Sequence, residues 1–133
     1  MVDVDNFKML NDTLGHQEGD VFLVNLAAEI RNCFVDGDII GRIGGDEFFA
    51  LMRNVPDVET VEKKAEELLK GIQKASSAYP NIPISGSIGV GLYPTNGRTI
   101  GQLYAHADKA LYQAKRKGKN QIVFMYRQNH KKR

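Results

Sequence analysis

Apolar and polar positions along this chain change period several times, and each change marks an element. Val2 and Val4 alternate with Asp3 and Asp5, so Met1 to Asp5 is expected to be the last part of a strand, with both carboxylates on one face near its end. A domain does not ordinarily open two residues before such a feature, so the N-terminal portion of the domain is expected to lie outside the sequence. Phe7 to Leu14 predicts a short helix stopped by Gly15. From Asp20, residues Val21, Val24, Leu26, Ala27, Ile30, Arg31 and Phe34 follow helical spacing, and Asp36, Gly37 and Asp38 break it. Ile39 to Ile43 and Phe48 to Met52 are apolar strands around Gly44, Gly45, Asp46 and Glu47, a hairpin with its tight turn at the glycines.

A second long helix is predicted over Val58 to Lys74, with Val61, Ala65, Leu68, Leu69 and Ile72 on its core face and Glu62, Lys63, Lys64, Glu66, Glu67 and Lys70 on its solvated face. Ile82 to Tyr93 is strand-like, and Gly86, Gly89 and Gly91 within it mark bulges or close backbone approach. Thr99 precedes a third long helix carrying Ile100, Leu103, Tyr104, Ala107, Ala110, Leu111 and Ala114; Gly118 stops it, and Gln121 to Tyr126 is a final strand. Strands interleaved with long helices predict an α+β fold, a sheet covered by helices in a two-layer sandwich.

Composition bounds this picture without changing it. The 133 residues, 42% of them hydrophobic, suffice for one domain with one core. A net charge of +2, from 18 basic and 16 acidic residues, gives no reason to expect nucleic acid or an anionic membrane as partner. The basic excess is local, at Lys115, Arg116, Lys117 and Lys119 and in a tail over 127–133 expected to be solvated. The single cysteine, Cys33, fits a reducing compartment and is expected to be core filler, with a nucleophile as the alternative. No apolar run approaches the ~20 residues that cross a bilayer, and the opening is acidic, unlike a signal peptide. A cytoplasmic location is therefore expected, with any membrane attachment supplied by sequence beyond this chain.

Chemistry gathers at two places. If the first strand and the hairpin share a sheet, Asp3, Asp5, Asp46 and Glu47 converge on one edge. Such charge is neutralised by water or by a hard cation such as Mg²⁺, and without His or Cys ligands zinc is the weaker candidate. An exposed turn plus a strand cap accounts for the same residues. Gly44 and Gly45 leave bare backbone for a ribose or phosphate to approach, although a type I′ turn also selects glycine. Asn11, His16 and Asp20 follow at loop-like spacing. An aspartate can accept hydrogen bonds from guanine N1 and its exocyclic amine, and an asparagine can bond the same edge. Asp20 is equally placed to cap the helix after it, and His16 to be a turn residue. Lys115 and Lys119, four residues apart, either present ammonium groups to a triphosphate or offset the helix dipole.

The order and spacing of these pieces resemble the GGDEF domain of diguanylate cyclases. The resemblance is carried by Asp3-Val4-Asp5-Asn6-Phe7-Lys8, Asn11-Asp12, Gly15-His16, Gly19-Asp20 and Arg42-Ile43-Gly44-Gly45-Asp46-Glu47-Phe48. It continues through Ser87-Ile88-Gly89-Val90, the run Ala107 to Lys115, and Gly118-Lys119-Asn120. It covers residues 2–126, which sets the expected domain at 1–126, and it implies a palm-like fold of the nucleotidyl-cyclase and ferredoxin-like kind with a central antiparallel sheet. Family members condense two GTP molecules into cyclic di-GMP and release two pyrophosphates, using Mg²⁺ or Mn²⁺. By similarity, the Asp3 carboxylate, the Val4 carbonyl and Glu47 would hold metal, and Asp46 would assist deprotonation of the ribose 3′-hydroxyl. Asn11 and Asp20 would read guanine, His16 would lie near the nucleotide, and Lys115 with Lys119 would hold phosphates. Phe7, the backbone of Asn6, Gly44 and Gly45 would line the cleft.

One domain holds one GTP, so the active species is expected to be a two-fold homodimer, in many relatives brought together by an upstream sensory domain. Two departures stand out. An inhibitory RxxD motif that often precedes the glycine turn has Asp38 but carries Val35 where the arginine stands, so product inhibition there is expected to be absent or weak. Lys119 stands where arginine is frequent, keeping charge without the fork geometry. Competing expectations are a non-catalytic signalling domain that binds GTP or a protein, and a cyclase forming a mixed purine dinucleotide.

Overall fold

The computed structural model describes residues 1–127; the tail expected over 127–133 lies, apart from Arg127, outside the described residues. Nine elements follow in order: β1 (Val2–Asp5), α1 (Phe7–Leu14), α2 (His16–Cys33), β2 (Ile39–Arg42), β3 (Glu47–Leu51), α3 (Val58–Ser76), β4 (Ser85–Val90), α4 (Ile100–Arg116) and β5 (Ile122–Phe124). They form a five-stranded sheet of order β2-β3-β1-β4-β5. β2, β3, β1 and β4 pair antiparallel, while β5 joins β4 in parallel because α4 carries the chain back across the sheet before β5 begins.

The short strand β1 is the centre of the sheet, and its alternation sorts its side chains cleanly. Val2 and Val4 are buried in a core with Phe22, Leu26 and Ile30 of α2, Leu68 and Ile72 of α3, and Ile88 of β4. Asp3 and Asp5 point to the opposite face, where Lys115 at the end of α4 meets them. Helices α2 and α3 thus cover one face, and α4 covers part of the other. Glycines in β4 make these close packings possible. A Cβ on Gly86 would stand 2.7 Å from Ile72 Cγ2, and one on Gly89 would collide with the backbone of Ala107 and Leu111 in α4. Both glycines therefore serve helix packing, and the ladders on either side of them run in unbroken register.

Side-chain caps fix two helix starts, with Asp57 Oδ1 accepting from Thr60 N at 2.8 Å and Thr99 Oγ1 accepting from Gln102 N at 3.1 Å. Three elements differ from expectation, and β4 is the first, occupying only Ser85–Val90 of the expected Ile82 to Tyr93. Helix α2 opens at His16, not Asp20, because Gly15 at φ 93° turns the chain directly from α1 into α2. Its first turn is polar and mostly exposed, so no apolar stripe announces it. Asp20 consequently lies inside the helix and is not its cap. Strand β5 ends at Phe124, and residues 125–127 turn helical, tied back to α3 by the Tyr126 hydroxyl donating to Glu62 Oε2 at 2.8 Å. Cys33 is half-buried, with its thiol donating to the Glu29 carbonyl at 3.3 Å and burial pushing its pKa up, as suits filler and not a nucleophile.

Candidate active site

Pairing of β1 with β3 sets Asp3 directly opposite Glu47, and the Val4 amide donates to the Asp46 carbonyl at 3.1 Å. The hairpin turn is therefore stitched to β1 at the residues that carry the acids. Arg42 shapes that turn from inside: its guanidinium donates from Nε to the carbonyls of Gly44 and Gly45, each at 3.0 Å. Neither glycine has a left-handed backbone, so a type I′ turn does not account for them. A Cβ at either would meet nothing within 4 Å. The chain's own geometry therefore sets no requirement for glycine at 44 or 45, and the open space above them is available to a ligand.

Negative charge accumulates beside this turn. Burial raises the pKa of Asp3, Lys115 opposes that, and Asp46 adds to it. Glu47 is raised by burial and then by the neighbouring carboxylates of Asp3, Asp108 and Asp46. Asp3 Oδ1 is buried with no hydrogen-bond partner. Two carboxylates short of positive charge, one carrying an orphaned oxygen, are what a hard cation relieves. The residue chemistry fits Mg²⁺ or Mn²⁺: Asp3 and Glu47 could supply carboxylate oxygens and Val4 its carbonyl. Mg²⁺ is commonly held by one or two protein carboxylates together with substrate phosphates, so this donor set suits an ion that arrives with a triphosphate.

The four carboxylates expected on one edge of the sheet do lie near one another, with Asp3 opposite Glu47 and Asp46 and Asp5 close enough to act on the Asp3 charge, but they do not make up a metal cage. Among the described residues no three His, Cys, Asp or Glu side chains gather into a set able to hold a metal alone. Asp5 is withdrawn from any such role, being fully buried and bonded to Ser85 Oγ at 2.7 Å, Ser87 Oγ at 2.8 Å, the Asn120 amide at 3.0 Å and Lys115 Nζ at 2.7 Å. Burial alone would raise its pKa, but these four partners outweigh it and hold the carboxyl below its ordinary range.

The two lysines reach the same strand end by different routes. Lys115, on the last turn of α4, places Nζ 3.3 Å from Asp3 Oδ2 and 3.1 Å from the Val4 carbonyl. Lys119 lies beyond the helix, where Gly118, Lys119 and Asn120 all adopt left-handed backbone, and donates to Asn6 Oδ1 at 3.0 Å. Asn6, itself left-handed, also donates from Nδ2 to the Pro83 carbonyl at 2.6 Å, which ties the start of α1 to the approach to β4. Such non-glycine positions are costly and persist where the surroundings over-determine them, commonly at functional sites.

Asn11, His16 and Asp20 lie along the α1–α2 turn. Asn11 Oδ1 is buried and unpartnered, seated over Gly19, where any Cβ would collide with it. His16 and Asp20 are exposed at the start of α2. Phe7 is half-buried and leans on Phe22, with ring centroids 6.3 Å apart, so most of its surface contributes to the core. Val35 and Asp38 lie in the loop before β2. The Asp38 carboxylate accepts from the amides of Val35 at 3.2 Å and Arg53 at 3.1 Å, which commits it to holding the loop against the end of the hairpin. Arg42, Gly19, Ser85, Ser87 and Asn120 had no assigned role in the sequence. All but Ser85 stood within the quoted motifs, and Gly19 fell before the expected start of its helix, so nothing local announced its packing against Asn11.

A second concavity, of about 700 Å³, is lined by apolar residues including Val2, Phe49, Leu68, Leu103 and Tyr104. It contains no Asp or Glu and is not where the acids meet. No helix among the described residues is long and apolar enough to cross a membrane.

The family model described as "Diguanylate cyclase, GGDEF domain" matches residues 1–121. The chain is 41% identical over 126 residues to the bifunctional diguanylate cyclase/cyclic di-GMP phosphodiesterase MucR of Pseudomonas aeruginosa, covering 92% of this chain and 18% of the relative. It is 35% identical over 125 residues to diguanylate cyclase A of Treponema denticola, covering 92% of this chain and 33% of that one. The chain thus spans a third or less of the length of these curated relatives. Among solved structures, the active GGEEF domain of a diguanylate cyclase from Vibrio cholerae superposes with a TM-score of 0.82 at 34% identity, over 93% of this chain and 79% of that one. The GGDEF domain of TpbB (YfiN) from P. aeruginosa gives 0.84 at 34% identity, over 93% and 73%. With the strand order, the paired acids and the glycine turn all in place, the chain belongs to the GGDEF domain family of diguanylate cyclases.

Proposed function

We propose that this domain condenses two GTP molecules into cyclic di-GMP and releases two pyrophosphates, with two copies of the domain facing each other. The observation that carries the proposal is Asp3 set opposite Glu47, both raised in pKa and one bearing an unpartnered oxygen, beside a glycine turn that its own fold does not require. Asp3, Glu47 and the Val4 carbonyl would hold Mg²⁺ or Mn²⁺, which when bound would supply neutralisation of the negative charge that develops during transfer.

Asp46, half-buried at the turn, accepts the proton from the ribose 3′-hydroxyl. The bare backbone of Gly44 and Gly45 lets ribose and phosphate come close, with Asn6 and Phe7 on the other side of the cleft. Lys115 and Lys119 bind the β- and γ-phosphates, and holding the triphosphate aligns the α-phosphate for in-line attack. Asn11 offers its unpartnered carboxamide oxygen to guanine, Asp20 accepts from N1 and the exocyclic amine, and His16 lies at the nucleotide's edge. The 3′-hydroxyl on one domain attacks the α-phosphate on the other, so turnover requires a homodimer. GTP and Mg²⁺ place the reaction in the cytoplasm. Val35 cannot hold product phosphate, and Asp38 is spent on backbone amides, so we assign no inhibitory product site here.

The test is incubation of the protein with Mg²⁺ and GTP over a range of protein concentrations, with nucleotide products separated. Cyclic di-GMP is expected, at a rate per chain that climbs with concentration. Its absence at every concentration contradicts the proposal.

A further inference from the structure

We propose that Asp5 is the positioning residue for Lys115, and that through Lys115 it sets the affinity of the site for a triphosphate; this rests on the function proposed above. An ionised carboxylate offers about four lone-pair positions, and on Asp5 each oxygen is already matched with two donors. Oδ1 takes Lys115 Nζ at 2.7 Å and Ser87 Oγ at 2.8 Å, and Oδ2 takes Ser85 Oγ at 2.7 Å and Asn120 N at 3.0 Å. A fully buried group so saturated has nothing left for a cation.

The Lys115 ammonium has three partners: it forms ion pairs with Asp5 Oδ1 at 2.7 Å and Asp3 Oδ2 at 3.3 Å, and donates a hydrogen bond to the Val4 carbonyl at 3.1 Å. The shortest of the three goes to the residue that cannot bind metal. The other two go to groups assigned to it. Lys115 therefore hangs from Asp5 as from a pivot: when nucleotide enters, phosphate oxygens can take over from Asp3 and Val4 while the Asp5 contact stays. The pivot is rigid because it is fixed from β1, from two serines on one face of β4, and from the left-handed turn after α4 that aims the Asn120 amide inward. A lysine on a flexible four-carbon stem loses less entropy on phosphate binding when it is held this way.

Trace acylation of the 133-residue chain, with lysine modification quantified by mass spectrometry, reads the pivot without any nucleotide. In folded Asp5→Asn, labelling of Lys115 is expected to rise several-fold, with exposed Lys117 unchanged as the internal control. In parallel, binding of a GTP analogue with a methylene group between the α- and β-phosphorus is expected to weaken about tenfold in Asp5→Asn, while guanosine binding stays constant. Asp5→Asn combined with Lys115→Met should bind the analogue no more weakly than Lys115→Met alone. Unchanged Lys115 labelling, equal losses for analogue and guanosine, or losses that multiply in the double variant overturn the inference. If Asp5→Asn does not fold, Ser85→Ala and Ser87→Ala are expected to move Lys115 labelling in the same direction, and no movement overturns it. If the wild-type chain binds no analogue while Lys115 labelling responds as expected, the pivot stands and the proposed function is contradicted.

Discussion

Gly44 and Gly45 separate two explanations of a glycine pair that the sequence left open. A turn that needed left-handed backbone would lose stability on substitution, but these positions have neither that conformation nor a neighbour within 4 Å of a Cβ. Gly45→Ala is therefore expected to change unfolding free energy by no more than about 0.5 kcal/mol, while lowering turnover of GTP markedly. Urea denaturation and product assay on one preparation check both halves. Glu47 makes a prediction of opposite sign to most buried-charge changes. Its folded pKa lies above the unfolded value, so its ionisation subtracts stability as pH rises through the interval between them. Glu47→Gln should then raise the melting temperature of the metal-free chain at neutral pH, with the gain vanishing once the pH falls below the unfolded value. Asp5 runs the other way: its contribution is present above its unfolded pKa and is lost as pH falls through the lowered folded one.

At the scale of elements, the tightest constraint is between β4 and α4, where Gly89 lies against helix backbone. Gly89→Ala must push α4 away, and with it Lys115, so a cost of at least about 1–3 kcal/mol in urea unfolding is expected, together with weaker nucleotide binding. The elements that the sequence revealed are those whose apolar period runs unbroken from a capping residue, as in α3 after Asp57 and α4 after Thr99. It concealed the start of α2, where the first turn is polar, and the end of β5, where apolar residues continue into a helical turn. The strand end bearing Asp3 and the turn bearing Glu47 were legible as local signals, but their pairing was only a condition in the sequence, and the fold supplies it. The separate duty of Asp5 was not, because its two serines lie 80 and 82 residues away and only the fold brings them to it. The stop at Gly118 left the direction of Lys119 relative to Lys115 open in the sequence, and the left-handed backbone from Gly118 onward sends it to Asn6.

For the whole molecule, the proposed reaction joins two nucleotides held on two copies of the chain. Rate per chain should therefore rise with protein concentration until dimer saturates, in initial-rate assays. Excess cyclic di-GMP should leave that rate unchanged, because Val35 offers no guanidinium and Asp38 is bound to its own loop; strong inhibition abolished by Asp38→Ala would contradict this. Everything rests on one pair of acids serving a cation and a guanosine triphosphate together. Cyclic di-GMP formation by wild type and by folded Glu47→Gln, at equal concentration with saturating Mg²⁺ and GTP, tests that pair most directly. The account predicts a fall of at least ~100-fold in the variant, and equal rates in the two proteins would contradict it.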